Sequence, residues 1–410
     1  MRVDCWKALS FALVKPNRTR THHPPFLRLP RARAAARAMP DTGSRATAAS
    51  VASASSATAT SLGASRYSSS SSSTTTSPDA FAELEHKNWQ RGVDAYAEGF
   101  GPLTAQAVPT LLKKAGFLEG EATDAQATAT AKASLLDVAC GPGQVLSAAI
   151  SKAKMLAGEN GKGNNLAEVS FTALDFSSNF LELARDNLGS EHPGTPVAFV
   201  EGDALDMARV LGCGGRGLQE GTEEKAAAAA PPPPLPEEGL FTSVASNFGI
   251  LHLSDPDAFL RESYRVLKPG GRLAFSAWAA PPHTEAFGLV LGAVRDAGNP
   301  SVELPEGPPF FRFSDPDECL RSLERAGFVG VETTVVEGME WTNLSSAGEL
   351  YDTMLEGTAR TRELLRGQTE DEAAAVRKLL EKRFDELVGD GRRPLRMPAV
   401  VSSGQKPVDG

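Results

Sequence analysis

The stretch SLLDVACGPGQVL (134–146) sets a short apolar run against a turn containing Gly141, Pro142 and Gly143, after which an apolar pattern resumes. Neither glycine carries a Cβ, so the backbone there can bend sharply and let a ligand approach to contact distance. A plain tight turn uses the same residues, so the motif needs company. Three acids supply it: Asp137 inside the motif, Asp175 at the end of the next apolar run (FTALDF), and Asp203 at the end of the third (VEGD). A dinucleotide fingerprint requires a third glycine, and GPGQVL places Leu146 there. A phosphate-binding loop requires a longer glycine loop followed by Lys-Ser or Lys-Thr, which is missing. The pattern therefore disfavours a pyrophosphate and suits a nucleoside without phosphates.

Groups able to move a proton are fewer. His252 in GILHLSDP and Tyr96 in DAYAEGFGPLT are candidates, whereas Cys140 reads as a small buried residue and Asp255 as a helix cap. No Ser-His-Asp order and no G-x-S-x-G elbow points to a hydrolase. The four cysteines (Cys5, Cys140, Cys213, Cys319) are far apart without metal-ligand spacing, so neither a zinc site nor a disulfide framework is expected, and a reducing compartment fits.

The elements that must position these residues alternate from residue 134 onwards. SLLDVA, AEVSFTALD, PVAFVEGD, LFTSVASN and RLAFSAW read as five strands, with KPGG as the turn into the last. Between them, QVLSAAISKAKML carries Val145, Leu146, Ala149, Ile150 and Ala153 on one helical face. SSNFLELARDNL does the same with Phe180, Leu181, Ala184 and Leu188 behind a Ser177 or Ser178 cap, and DPDAFLRESYRVL opens on Asp255 and Pro256. Strand and helix units joined this way specify a parallel sheet covered on both faces, an α/β doubly wound domain whose ligands bind beyond the carboxyl ends of the strands.

Composition bounds the rest. With 410 residues and 41% apolar content the chain can bury a sizeable core, and no run of 18 apolar residues suggests a membrane span. Residues 1–80 carry eleven Lys or Arg against three Asp and no Glu, while 81–410 hold 31 basic against 48 acidic residues, a net −17. An acidic body argues against a nucleic-acid partner, which would draw its affinity from Lys and Arg. Residues 1–78, with RLPRARAAARAMP and YSSSSSSTTTSP, have the composition of an organelle transit peptide, the chloroplast being favoured over the mitochondrion by the hydroxyl-rich second half. A retained low-complexity tail is the alternative. Gly, Pro and Ala-rich stretches at 157–165 and 212–239 read as surface insertions.

Beyond residue 280, RFSDPDECLRSLERAGF reads as a helix from Asp315 and Pro316 to Gly327, and VGVETTVVEGMEW and MPAVVSSGQKP as strands. The region of roughly 345–390 reads as a helical insert that could roof a site.

Taken in order, LLDVACGPGQV, ALDFSSNFLELARDN, VEGDALDM and FTSVASNFGILHLSDPDAFLRESYRVLKPGGRLAFSAW resemble the motifs of class I S-adenosylmethionine-dependent methyltransferases. The likeness is to the methyltransferase type 11 group, which includes ubiquinone and menaquinone C-methyltransferases, and it covers about residues 81–280. Two features depart from the pattern: Ala139 stands where many members have glycine, and the 157–165 insertion lengthens the spacing from Gly143 to Asp175. The resemblance implies a Rossmann-like, seven-stranded, mostly parallel sheet, with the two strands after residue 280 as its antiparallel pair. The implied parts are an N-terminal helical segment over the cofactor site (79–133), a cofactor-binding core (134–280), and a C-terminal completion with a helical lid (281–410).

The resemblance further implies S-adenosyl-L-methionine as cofactor. Ala139, Cys140, Gly141, Pro142 and Gly143 would cradle its methionine portion, with Asp137 near the amino group. Asp175 would accept from both ribose hydroxyls, Phe176 would lie against the adenine, Asp203 and the backbone of Ala204 would read its edge, and Asn247 would line the place where the methyl group meets its acceptor. A methyl on a sulfonium is already electrophilic, so alignment and exclusion of water suffice, without a metal. The expected function is methyl transfer to a small molecule. The alternatives are a non-catalytic cofactor-binding or scaffold protein of the same fold, and an NAD(P)-dependent oxidoreductase. No residue is singled out as catalytic, and neither the acceptor nor the oligomeric state is written in the sequence.

Overall fold

The computed structural model describes residues 78–118, 133–159, 169–212, 239–389 and 393–408. The expected leader and the expected insertions at 157–165 and 212–239 lie, but for their margins, outside the described residues.

Before the sheet come helices α1 (Pro78–Arg91), α2 (Val93–Gly99), α3 (Gly101–Thr104) and α4 (Val108–Lys114). The core then alternates: β1 (Ser134–Val138), α5 (Gln144–Glu159), β2 (Ser170–Asp175), α6 (Ser178–Glu191), β3 (Ala198–Glu201), α7 (Met207–Gly212), β4 (Phe241–Asn247), α8 (Pro256–Val266) and β5 (Leu267–Trp278). After them follow α9 (Glu285–Ala297), α10 (Pro316–Arg325), β6 (Val329–Val336), β7 (Glu340–Trp341), α11 (Ala347–Glu356), α12 (Arg360–Arg366), α13 (Glu370–Val388), β8 (Leu395–Arg396) and β9 (Ala399–Gln405).

The seven-stranded sheet has the order β3-β2-β1-β4-β5-β9-β6. β1 to β5 pair in parallel, and β9 runs antiparallel to both β5 and β6. Every residue of β1 is buried, as expected of a strand covered by helices on both faces. The helical faces read from the sequence are the buried ones: Val145, Leu146, Ala149, Ile150 and Ala153 on α5, and Phe180, Leu181, Ala184 and Leu188 on α6. Caps follow the same logic. Ser177 Oγ accepts from Phe180 N at 3.2 Å, and Asp255 Oδ1 from Ala258 N at 2.9 Å.

Two expectations need correction. KPGG is not a turn ahead of the fifth strand, because β5 begins at Leu267 and pairing continues through it. Gly270 (φ +79°) and Gly271 exchange backbone hydrogen bonds with Lys406, which makes the stretch an irregularity inside one long strand. VGVETTVVEGMEW is not one strand, since a turn at Glu337 and Gly338 ends β6 and sets β7 aside to pair with β8 in a separate two-stranded sheet. The two late strands β6 and β9 do complete the seven-stranded sheet as an antiparallel pair, with β9 running against both β5 and β6.

The small sheet joins the insert to the N-terminal helices. Trp341 is fully buried; its Nε1 donates to Gly99 O at 3.1 Å and its ring packs on Phe100 with centroids 4.6 Å apart. Gln106 brackets Glu340, Nε2 donating to Glu340 O at 2.8 Å and Oε1 accepting from Glu340 N at 3.0 Å. Removing the Trp341 indole leaves a large cavity and takes one of the two donors from Gly99 O, which keeps Asn343 Nδ2 at 3.2 Å. Trp341→Ala is therefore expected to cost about 3–5 kcal/mol, read as a fall in the urea midpoint with an unchanged slope.

Candidate functional site

Strand order reverses between β1 and β4, and a cavity enclosing about 990 Å³, its mouth included, opens there beyond the carboxyl ends of the strands. Its floor is made by residues at the ends of β1, β2 and β4 and after β3. Its roof comes from Trp89 and Tyr96 on α1 and α2, and from Gly357 to Thr361 around the start of α12.

Of the residues singled out in the sequence, Ala139, Gly141, Asp175, Phe176, Asp203, Ala204 and Asn247 line the cavity, and so do Tyr96 and His252. Asp137, Cys140, Pro142 and Gly143 do not. Cys140 is buried behind the turn, where burial and the nearby Asp175 and Asp137 push its thiol well above the usual range, so it remains a thiol. Gly143 (φ +87°) is where α6 comes close: a Cβ there would stand 3.3 Å from both Ala184 Cβ and Leu188 Cδ1. Pro142 O accepts from Asn187 Nδ2 at 3.1 Å. These residues shape the turn from behind.

Two non-glycine residues hold the left-handed conformation at the cavity, Ala139 (φ +53°) after β1 and Phe248 (φ +60°) after β4. Each such residue costs on the order of 1–3 kcal/mol and persists only where its surroundings enforce it. Phe248 N donates to Ser276 Oγ at 2.9 Å, and Ser276 Oγ donates to Asn247 Oδ1 at 2.7 Å. Asn247 Nδ2 in turn donates to Thr104 O at 3.1 Å, so this amide ties the sheet to the N-terminal helices while it lines the cavity. Gly249 must be glycine, because a Cβ would come within 2.6 Å of Ala139 Cβ.

The electrostatics of the floor are negative. Asp175 is buried; its Oδ2 accepts from Gly141 N and its Oδ1 from Ser177 N, both at 2.9 Å. Burial nevertheless outweighs these hydrogen bonds and lifts its carboxyl to about 6. Each carboxylate oxygen can accept a second bond, so capacity remains on the cavity side. Asp137 is fully buried and both of its oxygens lack a partner among the described residues; burial, reinforced by the charge of Asp175, raises it well above the carboxylate range. Asp203 is exposed and caps its own loop through Leu205 N at 2.8 Å. Tyr96 is pushed up to about 12, chiefly by burial, and remains a neutral phenol.

Away from these acids the wall is aromatic. Phe248 and Trp278 stack with centroids 4.0 Å apart, Phe287 stands edge-on to Trp278 at 6.0 Å and to Phe310 at 5.5 Å, and Trp89 meets His252 at 4.7 Å. Sequence reading missed Trp89, Glu85 and Arg360, which sit at this end. The contacts of Glu85 with His252 and Arg360 span 167 and 275 positions, and no motif spacing reports them.

Comparison with known proteins follows this geometry. A family model described as "Methyltransferase domain" matches residues 219–275. A demethylmenaquinone methyltransferase of Staphylococcus aureus (strain JH9) is 27% identical over 213 residues, 50% of this chain and 70% of the relative. Among solved structures, the Haemonchus contortus phosphoethanolamine N-methyltransferase 2 in complex with S-adenosyl-L-methionine is 16% identical, with a TM-score of 0.40, over 80% of this chain and 60% of that one. The YcgJ protein from Bacillus subtilis is 16% identical, with a TM-score of 0.36, over 73% of this chain and 98% of that one.

An acid raised by folding holds its proton in the native state at pH values where the unfolded chain has lost it, so stability falls as pH climbs through that interval. Asp137 and Asp175 both act in this direction from about pH 4 upwards. Asp137→Asn is expected to raise the melting temperature of the ligand-free protein at pH 8 and to change it little at pH 4. An equal effect at both pH values would mean that no buried charge was relieved.

Proposed function

We propose that this chain is a class I S-adenosylmethionine-dependent methyltransferase whose acceptor is an apolar small molecule with a planar ring, held against the aromatic wall. The observation that carries the cofactor reading is the pair of acids under the glycine turn. A buried acid with no partner among the described residues, Asp137, beside a carboxylate held by two backbone N–H groups, Asp175, makes a floor that gives a phosphate no cation and that a cationic ligand would ionise. The residues present therefore fit S-adenosylmethionine better than a dinucleotide. When bound, that cofactor supplies a methyl group already activated by a positively charged sulfur.

In this reading Asp175 accepts from the ribose hydroxyls with the lone pairs its backbone donors leave free, Phe176 lies against the adenine, and Asp203 with Ala204 reads its edge. Ala139 and Gly141 bring bare backbone to the methionine portion, and Asp137 faces its ammonium from beneath. Asn247 and Phe248 stand where the cofactor end of the cavity gives way to the aromatic end. The acceptor proposal is supported by the rings of Phe248, Trp278, Phe287 and Phe310, which offer flat apolar faces. It is also supported by the name of the Staphylococcus relative, a demethylmenaquinone methyltransferase.

Asp175→Asn keeps the shape and removes the charge. A lost charge-assisted pair of about 1.5–3 kcal/mol corresponds to roughly 10- to 150-fold weaker cofactor binding by calorimetry. Because the Asp175 carboxyl titrates near 6, wild-type affinity is expected to fall as pH drops below 6, by about tenfold per unit. Unchanged affinity in the variant would reject the ribose role.

The acceptor reading is tested with methyl-labelled S-adenosylmethionine and 1,4-naphthohydroquinone as probe, beside ethanolamine phosphate. Label is expected on the ring compound alone. Label on the amine would replace the apolar acceptor with a polar one, and cofactor binding without transfer to either, or to any component of an organelle extract, would favour a non-catalytic protein.

A further inference from the structure

His252 lines the aromatic end of the cavity, and its Nδ1 lies 3.0 Å from Glu85 Oε2 on α1. Glu85 is fully buried, and both of its oxygens are engaged. Oε2 also accepts from Trp89 Nε1 at 2.9 Å, and Oε1 accepts from Arg360 Nε at 3.1 Å. Burial alone would raise this carboxyl, but His252, Arg360 and Trp89 together outweigh it and hold it below the ordinary range. Arg360 belongs to the C-terminal insert. It is fixed by Pro308 O at 2.7 Å and Leu251 O at 3.3 Å, and its guanidinium lies 4.3 Å over the Phe81 ring. Three separate parts of the chain thus meet on one carboxylate.

Resting on the methyl-transfer reading, we propose that His252 Nε2 is the base that takes the acceptor's proton, and that Glu85 is the positioning residue that makes it so. With Nδ1 turned to a fixed acceptor, the ring carries its proton on Nδ1, and Nε2 keeps its lone pair for the cavity, where no described residue engages it. As the acceptor's X–H bond breaks, the proton passes to Nε2. The electron pair left on X forms the bond to the methyl carbon, and the pair of the broken C–S bond stays on sulfur. The imidazolium so formed is stabilised by the Glu85 charge and returns its proton to water afterwards. Carboxylate support of this kind orients a histidine and favours its charged form without being protonated itself. Arg360 holds Glu85 in place, so the base is completed by the insert as well as by α1.

The test uses the full chain. In ¹⁵N spectra, assigned by loss of signal in His252→Gln, the wild-type ring is expected as the Nδ1–H tautomer, and in Glu85→Gln as a mixture of tautomers. With 1,4-naphthohydroquinone as acceptor, Glu85→Gln and His252→Gln are each expected to lower kcat by about 10²–10⁴-fold, while the calorimetric affinity for S-adenosylmethionine stays within twofold and shows that both variants are folded. Glu85→Asp is expected to recover part of kcat. An Nδ1–H tautomer that persists in Glu85→Gln, or a kcat that survives either substitution in an enzyme whose wild type transfers methyl, overturns the assignment. A wild type that binds cofactor but transfers no methyl overturns the methyl-transfer reading, and the base with it.

Discussion

Negative charge buried under a backbone turn is the constraint around which this molecule is arranged. Asp175 keeps the turn in shape by accepting from Gly141 N, and it accepts from Ser177 N at the start of the next helix, so one carboxylate joins β1, β2 and α6. Asp137 adds a second acid with no partner among the described residues. A fold does not retain an uncompensated buried carboxylate for its own stability, since desolvation costs several kcal/mol. The expense makes sense as preorganisation for a ligand of opposite sign. The left-handed backbone at Ala139 and Phe248 belongs to the same economy, since both positions face the cavity.

Much of this was legible in the residues. The alternation of period-2 and period-3.6 patterns located the strands and helices of the core, and caps such as Asp255 and Asp315 marked helix starts because their chemistry is local. The site was legible to the extent that it lies in short motifs: Gly141, Asp175, Phe176, Asp203 and Asn247 line the cavity where strand ends bring them. Asp137 was correctly placed near the turn, but its isolation could not be read, because the absence of a partner is a property of the whole surroundings. KPGG was misread because a Gly-Pro cluster usually stops a strand, and only the pairing of Gly270 and Gly271 with Lys406 carries β5 through it. Glu85, Arg360 and Trp341 act through partners 167 to 275 positions away, which no local pattern encodes.

The roof explains why both flanks of the core matter. α1 to α3 meet the insert through Trp341, Asn343 and Gln106, and Gly99 lies so near Thr353 that a Cβ there would clash at 2.4 Å. The aromatic end of the cavity is therefore enclosed by segments that the central sheet alone does not supply. The same α/β core can serve different ligands by changing these flanks while the floor of the cavity stays fixed.

The position of β9 has a consequence for how the protein is made. This strand, nearly all buried, slots between β5 and β6, which have no contact of their own in the ladder. Until it is synthesised, β5 presents a long unpaired apolar flank and β6 has nothing to join. Such a flank invites association with other chains, and its pairing spans well over a hundred residues, a slow closure by its topology. A nascent chain halted before residue 399 would carry every motif of the cavity floor and still be a hazard to its neighbours, so quality control has reason to recognise it by that open seam.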